Sequence, residues 1–257
     1  MQLADIFINF EEGLYQQGVK TPGGWKGWRK FFIANKKIES DEIIFLPSGS
    51  GRQGPTADVQ ASISDSPTPN HFRISVKREF ATGPKPAGRV SNVLYESLPI
   101  GAELDVSMPF GDFVLYINAT TPAVLISGGV GLTTMMSMLK TIVNQQGNAR
   151  KVVFIHATRN GYVHAMKEGL FHIIAENPSV SRVVFYEEAS AQDKKGVDYV
   201  HVGGVNLAEI KNDAVLPDAD YYICGPQPFM KAQSKSLENL GVSPDRIHME
   251  VFGSPSD

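Results

Sequence analysis

The sequence predicts an antiparallel β-barrel followed by a parallel-sheet α/β domain, with a short helix ahead of both. Three observations predict it. From Thr120 onward, apolar runs of strand length alternate with stretches of helical period, the pattern of a parallel sheet covered by helices on both faces. From Trp25 to about Asn118, short apolar runs are separated by Gly and Pro turns, as in a compact barrel. Where the two regimes meet, Ala123 to Ile126 is a short apolar run between Pro122 and a cluster of glycines, and it reads as a strand buried on both faces. The division expected is residues 1–24 for the helix and linker, 25–118 for the barrel and 119–257 for the α/β domain.

Leu3, Ile6, Phe7, Phe10 and Leu14 fall on one helical face of residues 2–17, and Gly18 and Pro22-Gly23-Gly24 end that helix. So apolar a face needs a partner surface. In the barrel region, Phe31 to Ile38 and Glu42 to Leu46 are expected strands. His71 to Glu79 alternates, with Phe72, Ile74 and Val76 on one face and Arg73, Ser75 and Lys77 on the other. Ser91 is expected to cap a short helix to Leu98. Glu103 to Met108 and Asp112 to Ile117 are two further strands, joined at Pro109-Phe-Gly111. Residues 47–70 lack an apolar period and read as an irregular loop, in which Val59 to Ile63 is the one strand candidate.

In the α/β region the expected strands are Ala123–Ile126, Lys151–Ile155, Arg182–Glu187, Tyr221–Cys224 and Arg246–Phe252. The expected helices are Leu132–Val143, His164–Ala175 and Pro228–Leu240. Gly128, Gly129 and Gly131 allow a tight turn with close backbone approach. Thr133 and Thr134 stand where the next helix begins, so free N–H groups and the positive end of a helix dipole face the turn. A dinucleotide pyrophosphate is the usual guest of such a turn. In that reading a side chain at Gly131 would intrude on the pyrophosphate. Cys224-Gly225-Pro226 closes another strand and opens a helix, giving a second turn on the ligand edge.

The fingerprint is incomplete. Gly129-x-Gly131-x-x-Thr134 has Thr for the last Gly, and no acid follows the second strand, where His156-Ala157-Thr158-Arg159 stands. Arg159 is either a solvated loop arginine or a contact to an NADP 2′-phosphate. Cys224 is either a small buried hydrophobe at a strand end or a neighbour of the nicotinamide. His156 and His164 lack the further ligands a metal needs, so no metal site is expected. Met135, Met136 and Met138 read as helix packing. Glu250 stands between Met249 and Val251 in an expected strand, and so points to the opposite face from both.

Bulk composition excludes several classes. A net charge of −3 over 257 residues, with no basic stripe, gives no case for nucleic acid or anionic membrane. A single cysteine excludes a disulfide framework and fits a reducing compartment. No run reaches the roughly 18 apolar residues of a membrane span. Asp5, Glu11 and Glu12 near the start argue against a signal peptide. A cytoplasmic protein is the expectation.

Motifs through the chain carry a resemblance. They are Ile6-Phe-Ile-Asn9 with Tyr15, Gly23-Gly-Trp25, Ile74-Ser-Val-Lys-Arg-Glu79 and Val90-Ser-Asn92 with Leu94. Further on they are Pro109-Phe-Gly-Asp-Phe113, Ser127-Gly-Gly-Val-Gly-Leu-Thr133, His156-Ala157 with His164-Ala165, Cys224-Gly-Pro226 with Phe229-Met230, and Ile247-His-Met-Glu-Val-Phe-Gly253. In this order the chain is similar to the ferredoxin–NADP reductase superfamily, and within it to the reductase half of the flavohaemoglobins, the nitric oxide dioxygenases.

The resemblance implies an FAD-binding barrel and an NAD- or NADP-binding α/β domain that passes hydride from NAD(P)H to FAD. Electrons then go singly to an acceptor, in that family the haem of an N-terminal globin. It implies that Gly128, Gly129, Gly131, Leu132, Thr133, Arg159, Cys224, Gly225 and Pro226 hold the nicotinamide nucleotide. Ser62, Lys77, Arg78, Glu79, Val90 and Ser91 would line the flavin. Phe252, followed by Gly253, would shield the flavin ring, and Glu250, Phe252 and Cys224 would surround the hydride-transfer centre.

Two departures from the family pattern stand out. Residues 2–17 resemble only the last globin helix, so no haem is expected in this chain. That helix would instead meet a separate haem protein or other acceptor. The family's Pro-Gly-Gln-Tyr strand is missing, and its Arg-x-Tyr-Ser strand reads Val59-Gln-Ala61-Ser62. Losing an arginine–phosphate contact weakens FAD binding by about 1.5–3 kcal/mol. A flavin-free, non-catalytic nucleotide-binding or interaction protein of the same descent therefore stays open beside the oxidoreductase.

Overall fold

The computed structural model describes residues 16, 20, 25–40, 43–51, 63–66, 72–84, 86–107 and 111–249. The expected helix at 2–17 apart from Gln16, the strand candidate at 59–63 up to Ser62, and the end of the last strand lie outside the described residues.

The first sheet is antiparallel. It contains β1 (Trp28–Ile33), β2 (Lys37–Ser40), β3 (Ile43–Gly51), β4 (Phe72–Lys77) and β5 (Glu103–Ser107), in the order β2-β3-β1-β5 with β4 paired to β3. The expected strand 31–38 is thus two strands broken at Ala34–Lys36. The expected loop from residue 47 begins later than foreseen. β3 continues to Gly51, with Ser48–Gly51 opposite Ile33–Lys30 of β1. A Ser/Gly run has no apolar alternation to announce a strand. Ile33, Val76 and Leu94 form one small buried cluster and Trp25 with Phe31 another.

Between β4 and β5 lies α1 (Arg89–Asn92), which widens into a π-type turn, Val93–Ser97. It begins before Ser91. The Ser91 hydroxyl donates back to the Gly88 carbonyl at 3.2 Å and does not cap the helix.

Residues 112–117 are a second correction, for they form no strand. Their alternation is real, since Phe113, Leu115 and Ile117 pack on the core of the second sheet. Among the described residues their backbone bonds go to side chains and to turn neighbours, not to another strand. The Tyr116 N–H donates to the Tyr222 hydroxyl at 3.1 Å, and Arg150 donates to the carbonyls of Tyr116 at 3.0 Å and Thr121 at 2.8 Å. Arg150 is 1% exposed and also faces Asp220 at 3.6 Å. Asp220 accepts in addition from Thr121 at 2.8 Å and from Arg246 at 3.0 Å. Burial pushes the Asp220 carboxyl up, but these hydrogen bonds outweigh it and hold the group below its ordinary value.

The second sheet is wholly parallel. Its strands are β6 (Ala123–Gly128), β7 (Val152–Thr158), β8 (Val180–Tyr186), β9 (His201–Val202), β10 (Asp220–Cys224) and β11 (Ile247–Met249), in the order β11-β10-β6-β7-β8-β9. Every residue of β6 and β7 is buried. Alternate residues feed two cores. Leu125, Phe154 and Tyr222 meet α2 (Leu132–Gln146) and α3 (Lys167–Glu176) on one face. Ile126, Ile155 and Tyr221 meet α4 (Lys211–Ala214) and α5 (Gln227–Asn239) on the other. Helices on both faces are what the alternation predicted.

Several boundaries differ from expectation, three of them by three residues. β7 runs on through His156, Ala157 and Thr158. α2 continues to Gln146, and Gly147 ends it at φ 54°. α3 starts only at Lys167, because Met166 before it takes a left-handed φ of 56°. β9 and α4 are too short to leave a periodic signature.

Candidate functional site

The chain builds β6, β7, β8 and β9 outward in order, then returns to place β10 on the other side of β6. The strand order reverses between β6 and β10, and a crevice opens outside the carboxyl ends of strands at such a point. Ser127 is opposite Cys224 in the ladder, so the turns Gly128–Gly131 and Cys224–Pro226 emerge side by side there.

The three glycines of the first turn have different duties. Gly129 is exposed at φ 54°, and a Cβ on it would meet nothing within 4 Å. It is the member open to a ligand. Gly131 is buried, and its Cβ would sit 2.1 Å from the Cys224 carbonyl oxygen and 2.7 Å from the Gly225 nitrogen. Its lack of a side chain lets the two turns touch. The expectation that a side chain at Gly131 would intrude directly on a pyrophosphate is therefore corrected: it would first drive the turns apart. A Cβ on Gly128 or Gly225 would meet the Phe229 ring, at 3.0 and 2.9 Å. Phe229 thus braces both turns, and nothing in its periodicity marked it for this.

A single-turn 3-10 segment, Gly129–Gly131, leads into α2 at Leu132. No side chain caps α2, and its first turn holds no acid. Leu132 and Thr133 are buried, and the Thr133 hydroxyl donates back to the Val130 carbonyl at 3.0 Å. With neither a side-chain cap nor an acid at its start, the α2 N-terminus suits an anion. α5 also starts without a side-chain cap, after Pro226. Cys224 is buried at the end of β10, its Sγ 3.6 Å from the Thr134 hydroxyl. Arg159 is exposed immediately beyond β7, where its carbonyl accepts from the Glu188 N–H at 2.9 Å. The residues present fit a dinucleotide across these turns.

Beneath the first turn lies a polar pair. His156 on β7 meets the Ser127 hydroxyl at 2.9 Å, His164 meets the Tyr186 hydroxyl at 2.9 Å, and the two imidazoles lie tilted at 43° with centroids 4.8 Å apart. Burial pushes His156 down to about 3, against a hydrogen bond with Ser127. Burial and then the neighbouring His156, Lys167 and Arg182 hold His164 well below its ordinary value. Both rings are neutral near pH 7. Among the described residues no group of three or more His, Cys, Asp or Glu could hold a metal ion.

On the first sheet, Lys77 ends β4, and Arg78 and Glu79 follow it directly and are locked to α1. The Arg78 guanidinium bonds Asn92 at 3.2 Å, pairs with Glu96, and lies 4.7 Å from the centre of the Phe80 ring. The Glu79 carbonyl accepts from the Gly88 N–H at 3.0 Å and from Asn92 at 2.9 Å. Lys77 and Glu79 stand 3.7 Å apart. Val90 and Ser91 lie on α1 beside this segment. Asn92, Gly88 and Glu96 are the residues that sequence reasoning left without a role here. The cradle fits one flank of a flavin. Ser62, Glu250, Phe252 and Gly253 lie outside the described residues.

Residues 125–235 match the model of the oxidoreductase NAD-binding domain family. A flavohemoprotein of Chromobacterium violaceum is 46% identical, over 99% of this chain and 68% of that protein. A flavohemoprotein of Bordetella pertussis is 43% identical, over 98% of this chain and 67% of its own length. Among solved structures, the flavohem-like FAD/NAD-binding domain of nitric oxide dioxygenase from Vibrio cholerae superposes with a TM-score of 0.73 at 31% identity, covering 88% of this chain and 99% of that one. Flavohemoglobin from Malassezia yamatoensis, solved with FAD and heme bound, shares the fold at a TM-score of 0.73 and 20% identity, over 98% of this chain and 66% of its own. With an antiparallel sheet leading into a parallel one, and a switch-point crevice built from two glycine turns, the chain belongs to the flavohemoprotein family, in its reductase portion.

Proposed function

We propose that this chain is a flavin-dependent NAD(P)H oxidoreductase that passes electrons to a one-electron acceptor, a haem protein being the class its relatives' name suggests. The observation that carries the proposal is the meeting of two glycine turns and two uncapped helix N-termini at the β6/β10 switch point. When bound, NAD(P)H supplies a hydride and FAD turns that pair of electrons into single ones.

The chain's own residues position and shield these groups. The α2 N-terminus and the open face at Gly129 hold the pyrophosphate, with Gly128, Gly131, Leu132 and Thr133 shaping the turn. Cys224, Gly225 and Pro226 flank the nicotinamide. Cys224 acts by size and dryness, since a thiol among apolar neighbours behaves as a small hydrophobe. Arg159 reaches a 2′-phosphate when NADPH is the donor. Lys77, Arg78, Glu79, Val90 and Ser91 line the flavin with Ser62. Glu250, Phe252 and Gly253, following β11 in sequence, complete the centre where hydride passes.

Calorimetric titration with NADH and NADPH tests the nucleotide half. Reconstitution with FAD, followed by absorbance and by ferricyanide reduction, tests the flavin half. Nucleotide binding, weak FAD and slow reduction are expected, because Val59 and Ala61 stand where the family pattern has arginine and tyrosine. Nucleotide binding with no flavin at any FAD concentration would establish the non-catalytic reading instead. The double change Val59→Arg with Ala61→Tyr is expected to raise flavin content per chain. No increase would remove those two positions from the explanation.

A further inference from the structure

One short segment touches both the antiparallel sheet and α2, the helix that follows β6. Ile63 bridges to Ile74 of β4, and Ser64, 0% exposed, donates its N–H to the Arg73 carbonyl at 2.8 Å and its hydroxyl to the same oxygen at 3.2 Å. Asp65 is thereby carried on the antiparallel sheet. Its carboxylate accepts from Arg73 of β4 at 2.9 Å and from Lys140 of α2 at 2.9 Å. Its carbonyl accepts from the Ser137 hydroxyl, also on α2, at 2.8 Å. Ser137 and Lys140 are three apart on a helix and so share a face.

We propose that Asp65 is a positioning residue, a clasp that fixes the flavin-side sheet against the nucleotide-side helix and so sets the distance that hydride must cross. Both elements it grips end at a cofactor half-site. β4 runs from Arg73 into Lys77-Arg78-Glu79, and α2 runs back from Ser137 to the turn at Gly129–Leu132. A lone exposed ion pair would couple two bodies weakly. Here three donors from two elements converge on one partly buried residue, whose own backbone is docked. Its partners Arg73, Ser137 and Lys140 belong to neither nucleotide turn and are not among Lys77, Arg78, Glu79, Val90 and Ser91, so its effect falls on the mutual placement of the two half-sites. The kinetic part of this proposal rests on the oxidoreductase reading above. In that reaction NAD(P)H becomes NAD(P)+, its hydride and one proton reduce FAD, and two ferricyanide ions reoxidise the flavin by one electron each, with two protons released to solvent.

The test compares wild type with Asp65→Ala, Asp65→Glu and the double variant Ser137→Ala with Lys140→Ala, all in the full chain. The double variant leaves Ser64 and Asp65 docked on β4 and removes only the bridge. Small-angle scattering is expected to show a larger radius of gyration for Asp65→Ala and the double variant. Hydrogen exchange should quicken along the Ser137–Lys140 face while the β6 amides stay protected. NADH affinity by calorimetry is expected to stay within about twofold, whereas FAD reduction at saturating NADH should slow about tenfold or more, since small misplacements of reacting groups are costly. Asp65→Glu, which keeps the charge in reach of both cations, should recover most of the rate and the wild-type scattering. Unchanged scattering and exchange in both the alanine and the double variant would overturn the clasp, whatever the rates. Wild type that reduces no acceptor would overturn the oxidoreductase reading alone, and scattering and exchange would still decide the clasp.

Discussion

The two sheets bury their strands in opposite ways. In the parallel sheet every residue of β6 and β7 is inaccessible, and helices cover both faces. In the antiparallel sheet β1 carries exposed residues at its start and β4 is mostly half-buried. A parallel sheet needs long crossovers, which are helices and which cover it, whereas hairpin-linked strands leave one face to solvent or to a ligand. The nucleotide half is therefore complete as a folded body, while the flavin half has a face that FAD would finish. Bound FAD should stabilise the second more than NADH stabilises the first, because ligands stabilise the state that binds them.

The largest way to break this contrast is Arg150→Ala. Arg150 is the buried cation that ties the connecting segment, through the Tyr116 and Thr121 carbonyls, to Asp220 of the parallel sheet. Removing one partner of a buried pair costs about 3–5 kcal/mol. Urea unfolding followed by far-UV dichroism should show that loss in the parallel half. A change below about 1 kcal/mol would mean that water replaces the guanidinium, and that the connecting segment is not anchored as described.

Gly131→Val comes next. Its side chain meets the Cys224 carbonyl at 2.1 Å, a backbone atom with no rotamer to yield. Overpacking costs about 1–3 kcal/mol, and nucleotide binding should be lost because the two turns separate. Gly129→Ala is the matched contrast. It has room, and its cost is the left-handed φ, about 1–2 kcal/mol. If Gly131→Val binds NADH as wild type does, the touching of the turns is not what forms the site.

The pH response separates the halves further. His156 and His164 have folded values below the ordinary 6.5. The unfolded chain therefore takes up protons first as pH falls. The stability they hold is complete above about pH 6.5 and is lost progressively below it. His156 alone removes about 1.3 kcal/mol between about pH 7.5 and 5.5, and His164 acts in the same direction. Asp220, also depressed, holds stability above its ordinary 3.8 and loses it only as pH falls below that, outside this window. The urea midpoint of the parallel half should drop over this range, and His156→Gln should flatten the slope. A flat wild-type profile would mean that both rings titrate in the fold as they do in the unfolded chain.

The same contrast explains what was legible in the sequence. The runs Ala123–Ile126 and Val152–Ile155 could be read because strands buried on both faces must be continuously apolar. The turn at Gly128–Gly131 could be read because a close crossing of strand, turn and helix excludes side chains. The direction in which Gly131 faces could not, since it depends on β10, far away in the chain. Nor could the end of β3, where Ser48 to Gly51 carry no apolar alternation yet pair with Ile33 to Lys30. Residues 112–117 mimic a strand because both situations put alternate side chains inward, and only the partner, Arg150 and Tyr222 rather than another strand, tells them apart. Asp65 sits in a stretch with no period at all, and its importance lies wholly in contacts that sequence spacing does not encode.

The finest test uses one chemical change in two places. Ile33 on β1 and Ile126 on β6 are each 0% exposed. Removing one methylene from either, as Ile33→Val or Ile126→Val, costs about 0.5–1.5 kcal/mol of local packing. The difference lies in how the loss is read. If the sheets unfold separately, Ile33→Val shifts only the earlier transition, that of the thinly covered sheet, and Ile126→Val only the later one. If the Asp65 contacts join them into one cooperative unit, either change moves a single transition by its full cost. Calorimetry resolves the two cases, and repeating it on Asp65→Ala should convert the second into the first. Each valine shifting its own transition in wild type, with Asp65→Ala changing nothing, would show that the clasp aligns the sheets without coupling their stabilities.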